Sequence, residues 1–274
     1  MRSVYPLSIN KACQLLSVSK TAYYYLPKKH AEDKVIVAYL RALAVQHTRW
    51  GFDKMMLKIK AEARCWNHKR VHRIYCEMGL NIRIKPRKRI PQGEAKALVQ
   101  TLEPNLCWSM DFMSDALYDG RKFRTFNVID DYNREALLVE PRYSLPASKV
   151  VYLLDMIAST RGYPAMIRVD NGTEFTSLVF RKWAEEHRIL IHYIQPGKPA
   201  QNGFVERFNR TFREEVLDMN WFSHLQEVKT IARDWLQTYN QERPHESLAR
   251  FAPVFFAKHR EKKRAIQSEN SISN

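Results

Sequence analysis

The chain has 274 residues, 45% of them hydrophobic, so it can form at least one large domain with its own core. Lys and Arg number 45 against 29 Asp and Glu, which leaves a formal net charge of +16. A surplus of this size favours a polyanionic partner such as nucleic acid over a merely basic protein. No apolar run approaches the ~18 residues of a membrane-spanning helix, which excludes an integral membrane protein.

The cysteines and the start of the sequence favour a cytoplasmic protein. The first ten residues have no apolar signal-peptide core, and the four cysteines form no paired framework, which suits a reducing cytoplasm. Cys65, His68, His72 and Cys76 could suggest zinc. The last three fall on successive turns of one helix, however, and a tetrahedral ion hardly takes ligands from three turns. A helix face with solvated histidines is the better interpretation, with zinc as the alternative.

The N-terminal part is predicted to be helical. Residues 8–27 show two short helical patterns separated by the turn "SVSK", with Ser19 placed to cap the second helix. This is the layout of a helix-turn-helix, whose second helix enters the major groove of DNA, and a plain helical hairpin is the alternative. Residues 31–79 continue with apolar residues at helical spacing. Residues 1–80 are therefore predicted to be an all-α DNA-binding region.

The rest of the chain divides by composition. Residues 81–100 are basic and punctuated by prolines, which predicts a linker or an arm that follows DNA. Residues 101–220 show three alternating strands, then helix, strand, helix, strand and helix, which predicts an α/β catalytic core with a mixed sheet. Residues 221–257 are predicted to be a helical extension. Residues 258–274, charged and then polar, are predicted to be a disordered tail.

Three acidic residues stand where the predicted elements would bring them together. Asp111 lies in mid-strand, opposite a face formed by Leu106, Trp108, Met110 and Phe112. Asp170 ends the strand "MIRVD", and Glu206 lies in the first turn of an amphipathic helix. Singly, each has an ordinary explanation: an edge-strand residue, a turn former and an acid favoured by the helix dipole. Together they favour a site for phosphodiester chemistry, which needs converging carboxylates to hold two divalent cations.

Basic and amide side chains near these acids are predicted to contact DNA. Asn209, Arg210 and Arg213 share a helix face with Glu206, so they could contact phosphates beside a metal ligand. If six or more phosphates are neutralised, affinity should fall about 10³-fold or more between about 50 and 200 mM salt. The predicted DNA contacts are Lys198, Asn202, Arg207, Asn209, Arg210, Arg213, Lys20, Lys69 and Arg70.

The spacing of Asp111, Asp170 and Glu206 resembles the DDE signature of retroviral integrases and insertion-sequence transposases. The words "WSMDF", "IRVDNGTEF" and "QPGKPAQNGFVERFNRTFREEVL" match it as well. The closing "WLQTYNQERPHESL" is similar to the C-terminal part of OrfB-type transposases, which bacterial insertion sequences encode in two overlapping frames. "LLSVSKTAYYY" and "NHKRVHRIYCEMGLNIR" are similar to the same family, so the resemblance covers roughly residues 8–257.

The resemblance implies a fold and a reaction. The fold is a ribonuclease H-like catalytic core with a mixed sheet, preceded by the all-α helix-turn-helix region. Asp111, Asp170 and Glu206 would hold two Mg²⁺ (or Mn²⁺) ions. Water would first cut at the end of the element and free a 3′-OH, which then attacks another phosphodiester and so moves the insertion sequence. The family typically joins the element ends into a circular intermediate before integration.

The resemblance also implies partners. These are DNA, as terminal inverted repeats and target, a homo-oligomer on that DNA, and a possible upstream-frame product as fusion or partner. No membrane is implied, and the location would be the bacterial cytoplasm, at the nucleoid. Two departures are visible: the zinc-binding domain of retroviral integrases has no counterpart, and "SLARFAPVFFA" lacks the Leu-Thr-Pro word usual in the family. The acids Asp130, Asp131 and Glu174 lie near matching motifs but outside the triad positions.

Two other functions stay open. One is a non-catalytic DNA-binding regulator that kept an integrase-like body, although the presence of all three acids argues against it. The other is a ribonuclease H-type nuclease acting on hybrids or junctions. Such a nuclease would have little use for an N-terminal helix-turn-helix and a basic arm, and it would hydrolyse a strand without joining it to a target.

Overall fold

The computed structural model describes residues 8–24, 31–82, 100–195, 197 and 199–272. The predicted basic linker lies almost wholly outside these ranges. Within them, no helix is both long and apolar enough to cross a bilayer.

Helices form the N-terminal part, as the apolar spacing predicts. Three of them begin at side-chain caps: Ser8 Oγ accepts from the backbone N–H of Lys11, Ser19 Oγ accepts from that of Ala22, as predicted, and Asn67 Oδ1 accepts from that of Lys69. The last three helices share one core, in which Leu40, Ile59 and other apolar side chains are fully buried. The helices are α1 (Ile9–Leu15), α2 (Lys20–Tyr24), α3 (Ala31–Gln46), α4 (Phe52–Ala61) and α5 (His68–Glu77).

A five-stranded mixed sheet follows, as predicted, in the order β3-β2-β1-β4-β5. Neighbouring strands in β1 to β3 are antiparallel, whereas β4 runs parallel to β1 and β5 runs parallel to β4. The strands are β1 (Cys107–Ala116), β2 (Lys122–Asp130), β3 (Ala136–Arg142), β4 (Met166–Val169) and β5 (Leu190–Tyr193).

Helices cover both faces of the sheet, so apolar side chains are buried on each side. On one face lie α6 (Ala147–Arg161), α7 (Thr173–Thr176) and α8 (Leu178–Glu186). On the other lie α9 (Gly203–Glu215) and α10 (Leu225–Gln241). Short 3₁₀ turns occupy Pro199–Asn202, Leu217–Met219 and Glu246–Leu248.

Strand β1 shows the predicted alternation, with one correction at its start. Trp108 and Met110 are fully buried against the face covered by α6 and α8, while Met113 belongs to the core on the α9 side. Leu106 was predicted to continue the apolar row, but it precedes the strand and is 38% exposed. Its carbonyl accepts a hydrogen bond from the backbone N–H of Met166. The row of side chains that packs against α6 and α8 therefore begins at Trp108.

The C-terminal segment differs from the prediction of a disordered tail. A single helix, α11 (Pro253–Ile272), runs through most of it, and Phe256 packs against Tyr132 and Leu248. Pro253 occupies the first helical position, where its missing N–H is not needed. Beyond it the sequence contains no glycine or proline and is rich in Lys, Glu, Arg and Ala, which are good helix formers. The polar composition had suggested disorder because it gives no apolar periodicity.

Candidate active site

The fold brings the three predicted carboxylates to one region of the sheet. Asp111 lies on β1, on the face covered by α9, and Glu206 lies in the first turn of α9. Asp170 directly follows β4, whose parallel register pairs Ser109 with Arg168. Extending this register by two residues on each strand places Asp170 beside Asp111. All three side chains are partly exposed, so they are accessible from solvent.

The carboxylate of Asp111 is held in a fixed orientation. Its Oδ1 accepts from the backbone N–H of Phe112 at 2.8 Å, and its Oδ2 accepts from Asn209 Nδ2 at 2.9 Å. The other end of the Asn209 amide, Oδ1, accepts from Asn127 Nδ2 at 2.7 Å. Asn127 on β2 is fully buried and lies directly across from Asp111 in the β1–β2 pairing. A buried chain of amides therefore orients Asp111 and links it to α9.

Asp170 begins the tight turn that leads into α7. Its Oδ1 accepts from the backbone N–H of Gly172 at 3.0 Å. A Cβ atom on Gly172 would lie only 3.0 Å from this same oxygen, so a larger residue here would require the carboxylate of Asp170 to shift. The Asp-Asn-Gly word is thus turn chemistry and site chemistry together.

Glu206 is positioned by the apolar side of α9. Phe208 and Phe212 are buried in the core between the sheet and the helices α9 and α10, where both contact the ring of Trp235 on α10. Val205, also fully buried, completes this side, whereas Phe204 is only half-buried. With α9 anchored in this way, Glu206 lies about one turn, or ~4.5 Å of rise, before Asn209, which touches Asp111.

The electrostatics of the site favour a bound cation. Burial raises the pKa of Asp111 to about 6, and the charges of Asp170 and Glu206 add to that rise. Hydrogen bonds from the Phe112 N–H and from Asn209 act in the opposite direction. Burial also raises the pKa of Glu206. The carboxylates of Asp170 and Glu206 therefore destabilise the ionised form of Asp111. A divalent cation bound among the three would offset this repulsion.

The oxygen donors suit hard cations such as Mg²⁺, which take a few carboxylate ligands and complete their shell with water or phosphate. Among the described residues, no three His, Cys, Asp or Glu side chains lie together closely enough to hold one ion. Asp170 and Glu206 lie close enough for their charges to act on Asp111, but the three carboxylates do not form a finished cage.

The predicted DNA contacts fall into different environments. Arg207, Arg210, Lys20 and Lys69 expose their side chains to solvent. Lys198 lies outside the described residues.

Two of the predicted cations are instead engaged within the protein. Arg70 Nε donates to Asp33 at 2.6 Å and its guanidinium also pairs with Glu32. Arg213 Nη2 donates to the carbonyl of Ser114 at 2.9 Å, and its Nη1 pairs with Asp115 at 3.3 Å.

The two asparagines predicted to contact DNA need correction. Asn209 is buried and its amide is used by Asp111 and Asn127. Asn202 is 2% exposed, and its Nδ2 donates to the carbonyl of Met110 at 3.2 Å. The helical spacing correctly placed Asn209 beside Glu206, but it could not show that this side of α9 faces the sheet. Both asparagines hold the site together from inside.

The acids near the matching motifs have structural partners. Asp131 is fully buried, accepts from Ser109 Oγ and Arg168 Nη1 at 2.6 Å each, and so joins β1, β4 and the turn after β2. Asp130, also fully buried, accepts from the backbone N–H of Asn105 at 2.9 Å. Glu174 pairs with Arg124. Their exclusion from the triad is consistent with these contacts.

One functional candidate escaped the sequence analysis. Asn127 lies in the run "TFNVID", where a polar residue is flanked by residues that face the core. That pattern is a signal in itself, because a buried amide needs hydrogen-bond partners. Only the strand pairing shows that the partner is the amide chain to Asp111.

Comparison with known proteins adds to this geometry. Two models described as integrase core domains match residues 102–199 and 187–253, and a model of an HTH-like domain matches residues 30–89. The HTH-like match therefore lies over α3 to α5, and the helix-turn-helix predicted over residues 8–27 falls outside it.

Relatives from insertion elements match nearly the whole chain. The 31.7 kDa protein of insertion element IS407 from Burkholderia multivorans is 36% identical over 255 residues, which cover 93% of this chain and 92% of that protein. The putative transposase InsK of insertion sequence element IS150 from Escherichia coli is 24% identical, with coverage of 93% and 94%.

A solved structure supports the fold. The simian T-cell lymphotropic virus intasome, determined in complex with PP2A regulatory subunit B56 gamma, aligns with a TM-score of 0.51 at 18% identity and covers 81% of this chain and 74% of that one. The core is thus ribonuclease H-like, as predicted. Because integrase core matches span the sheet and α9, and an insertion-element relative matches from end to end, the chain belongs to the insertion-element DNA transposases with an integrase core domain, enzymes of transposition-type DNA recombination.

Proposed function

We propose that this transposase cuts and joins DNA strands in a metal-dependent reaction at Asp111, Asp170 and Glu206. One observation carries the proposal: carboxylates from β1, the end of β4 and the first turn of α9 act on one another, and together with burial they raise the pKa of Asp111. Groups of acids whose pKa values are shifted by one another at a partly exposed site are typical of catalytic centres.

The carboxylate pairs fit two divalent cations. Asp111 and Asp170 would hold one Mg²⁺ or Mn²⁺ ion, and Asp111 and Glu206 the other, so that each ion needs only two protein ligands. Bound there, two such ions would supply activation of the attacking oxygen and stabilisation of the leaving one. The amide of Asn209 keeps Asp111 oriented for both pairs.

The reaction follows in two displacements at phosphorus. A water oxygen first bonds to a phosphorus at the end of the element, and the bond to the 3′-oxygen breaks, which leaves a 3′-OH. That hydroxyl oxygen then bonds to a target phosphorus, and the target's own 3′-oxygen leaves with a proton. Exposed Arg207 and Arg210, on α9 beside Glu206, would hold the phosphates by ion pairing. No covalent bond between protein and DNA is needed.

The partners follow from this reaction. The substrates would be terminal inverted repeats and target DNA. Because two element ends must be cut and joined together, we propose a homo-oligomer on DNA, with the upstream-frame product as a possible fusion or partner. The division of the chain into a helical DNA-binding region, a linker, a catalytic core and a C-terminal extension belongs to the same proposal.

A strand-joining assay tests the function. A labelled duplex taken from the inverted repeats that flank the gene is incubated with target plasmid and Mg²⁺. We expect label joined to the target with the wild type, none with EDTA and none with Glu206→Gln. Glu186→Gln, which alters an exposed acid on α8, should keep full activity. Cleavage without joining would favour the nuclease, and binding without cleavage would favour the regulator.

A further inference from the structure

A second surface lies beside the carboxylate site, and it shares Arg207 of α9 with the phosphate contacts proposed above. A cleft of about 520 Å³ lies between α4, the turn after β2, α9 and the segment after α10. Its polar lining includes Lys54 of α4, Arg134, Arg207 of α9, Arg243 and His245. We call it the basic cleft. The last two residues belong to the word "RPHES" of the C-terminal motif, to which the three-carboxylate site assigns nothing.

Positive charge in the basic cleft exceeds negative charge. Lys54, Arg134 and Arg207 line it together with Arg243, which pairs with Glu215, whereas Glu246 is the acidic residue of the lining. Among the described residues, neither Lys54 nor Arg207 has a carboxylate within ion-pair distance. The guanidinium of Arg134 instead lies over the ring of Phe204, 3.3 Å from its centroid. Two cations that line the cleft therefore have no anionic partner in the described parts of the chain.

The lining of the basic cleft includes a nitrogen atom whose hydrogen-bonding capacity is unused. The Nε2 atom of His245 is buried and has no hydrogen-bond partner among the described residues. Burial, followed by the charges of Arg243 and Lys54, lowers the pKa of His245 to about 3. Burial and Arg243 likewise lower the pKa of Lys54 to about 8. A negatively charged oxygen here would stabilise the protonated forms of His245 and Lys54, and it would accept a hydrogen bond from the imidazole of His245.

We propose that the basic cleft binds a backbone phosphate of DNA, with Lys54 and Arg207 as the charged contacts and His245 as a hydrogen-bond donor. The proposal rests on DNA being the substrate of this chain, as proposed above. Arg207 directly follows Glu206, about 100° around the helix, so the cleft and the carboxylates face neighbouring sides of α9. Each DNA strand carries a phosphate every ~3.4 Å of axis rise, so one strand can supply a phosphate to each site.

The location suggests what this contact does. Lys54 comes from the part that matches an HTH-like domain, and Arg207 and Arg243 come from the part that matches an integrase core. The two parts also touch nearby, where Lys58 Nζ pairs with Glu242 at 2.6 Å. A phosphate in the basic cleft would be held by both parts at once, so DNA binding would fix the N-terminal helices on the core.

DNA affinity measured without metal tests this proposal separately from catalysis. Fluorescence anisotropy with an element-end duplex in EDTA, from about 50 to about 200 mM NaCl, gives the slope of log K against log salt. For the Lys54→Gln/Arg207→Gln variant we expect a slope smaller by about 0.9, since the cleft loses its contact with one phosphate. The charge-matched control is Lys60→Gln/Arg233→Gln, which alters two exposed cations outside the cleft.

The outcomes separate the possibilities. Equal slope changes in the two double variants would overturn the proposal, because general charge would then explain the effect. An unchanged slope would also overturn it. A rise in Tm with inorganic phosphate for the wild type, absent from Lys54→Gln/Arg207→Gln and without a slope change, would make it a free-phosphate site. Arg207→Gln alone, at an exposed position, should reduce the slope by less than the double variant does. Failure of the wild type to bind DNA would instead count against the proposed function.

Discussion

Asn209 connects Asp111 on β1 to Asn127 on β2, because its single amide forms a hydrogen bond with each of them. A side chain that accepts from a buried donor and donates to a carboxylate has only one workable orientation. It therefore fixes the direction of the Asp111 lone pairs. In metal sites such supporting groups matter nearly as much as the ligands, because they orient them.

Substitution of Asn209 should expose this positioning role. With Asn209→Ala we expect the Mg²⁺ concentration for half-maximal strand joining to rise about 10- to 100-fold, while metal-free DNA affinity stays unchanged. Asn240→Ala is the matched control, since Asn240 is also buried and bonds the backbone of Ala136 at 2.8 Å, away from the site. If Asn209→Ala weakened DNA binding and left the Mg²⁺ dependence alone, a DNA contact would be the better role.

The raised pKa of Asp111 gives a pH dependence of stability. Because its pKa is about 6 in the folded state and near 3.8 when unfolded, the folded state binds the proton more tightly. Its stabilising effect is complete below the unfolded pKa and is lost as pH rises through about 6. From pH 7 to 5, the metal-free wild type should gain about 1 kcal/mol in free energy of unfolding relative to Asp111→Asn. A difference between the two proteins that does not change with pH would contradict this.

At the scale of the elements, a buried ion pair joins the strands beneath the site. Asp131 accepts from Arg168 on β4 and from Ser109 on β1, and Arg168 is only 9% exposed. Removal of one partner of such a pair leaves a buried charge without compensation. The acid is therefore essential for stability, although it has no place in the proposed chemistry.

Two aspartate substitutions should separate structural from exposed acids. Asp131→Ala should lower the free energy of unfolding by about 3–5 kcal/mol, since Arg168 loses its carboxylate. Asp119→Ala, in the exposed pair with Arg121, should change it by less than about 0.5 kcal/mol. Urea unfolding of both variants provides the measurement. A cost below about 1 kcal/mol for Asp131→Ala would show that the pair contributes little.

At the scale of the whole molecule, the order of strands and helices in the core could be predicted from the sequence, because strand alternation and helix spacing are local signals. The helix predicted after the three strands is α6 (Ala147–Arg161). The fold class could be predicted as well. The burial of Asn202 and Asn209 could not, since it depends on which side of α9 packs on the sheet.

The basic cleft could not be predicted from the sequence either. Lys54, Arg134 and Arg243 are widely separated along the chain and meet only through the contact of the N-terminal helices with the core. The helix α11 was missed for a different reason, because its polar composition hides a good intrinsic helix propensity. Local patterns thus predict elements, whereas sites between distant segments need the packed structure.

The central claim is that Asp111 is a ligand in a metal-dependent strand-joining site. The most direct test measures joining of a labelled element end to target DNA by Asp111→Asn in Mg²⁺, with metal-free DNA affinity measured in parallel. We predict that joining falls by at least ~10²-fold while the affinity is unchanged, and that Asp234→Asn, at an exposed position on α10, behaves as the wild type. Joining at the wild-type rate by Asp111→Asn would contradict the assignment of the site.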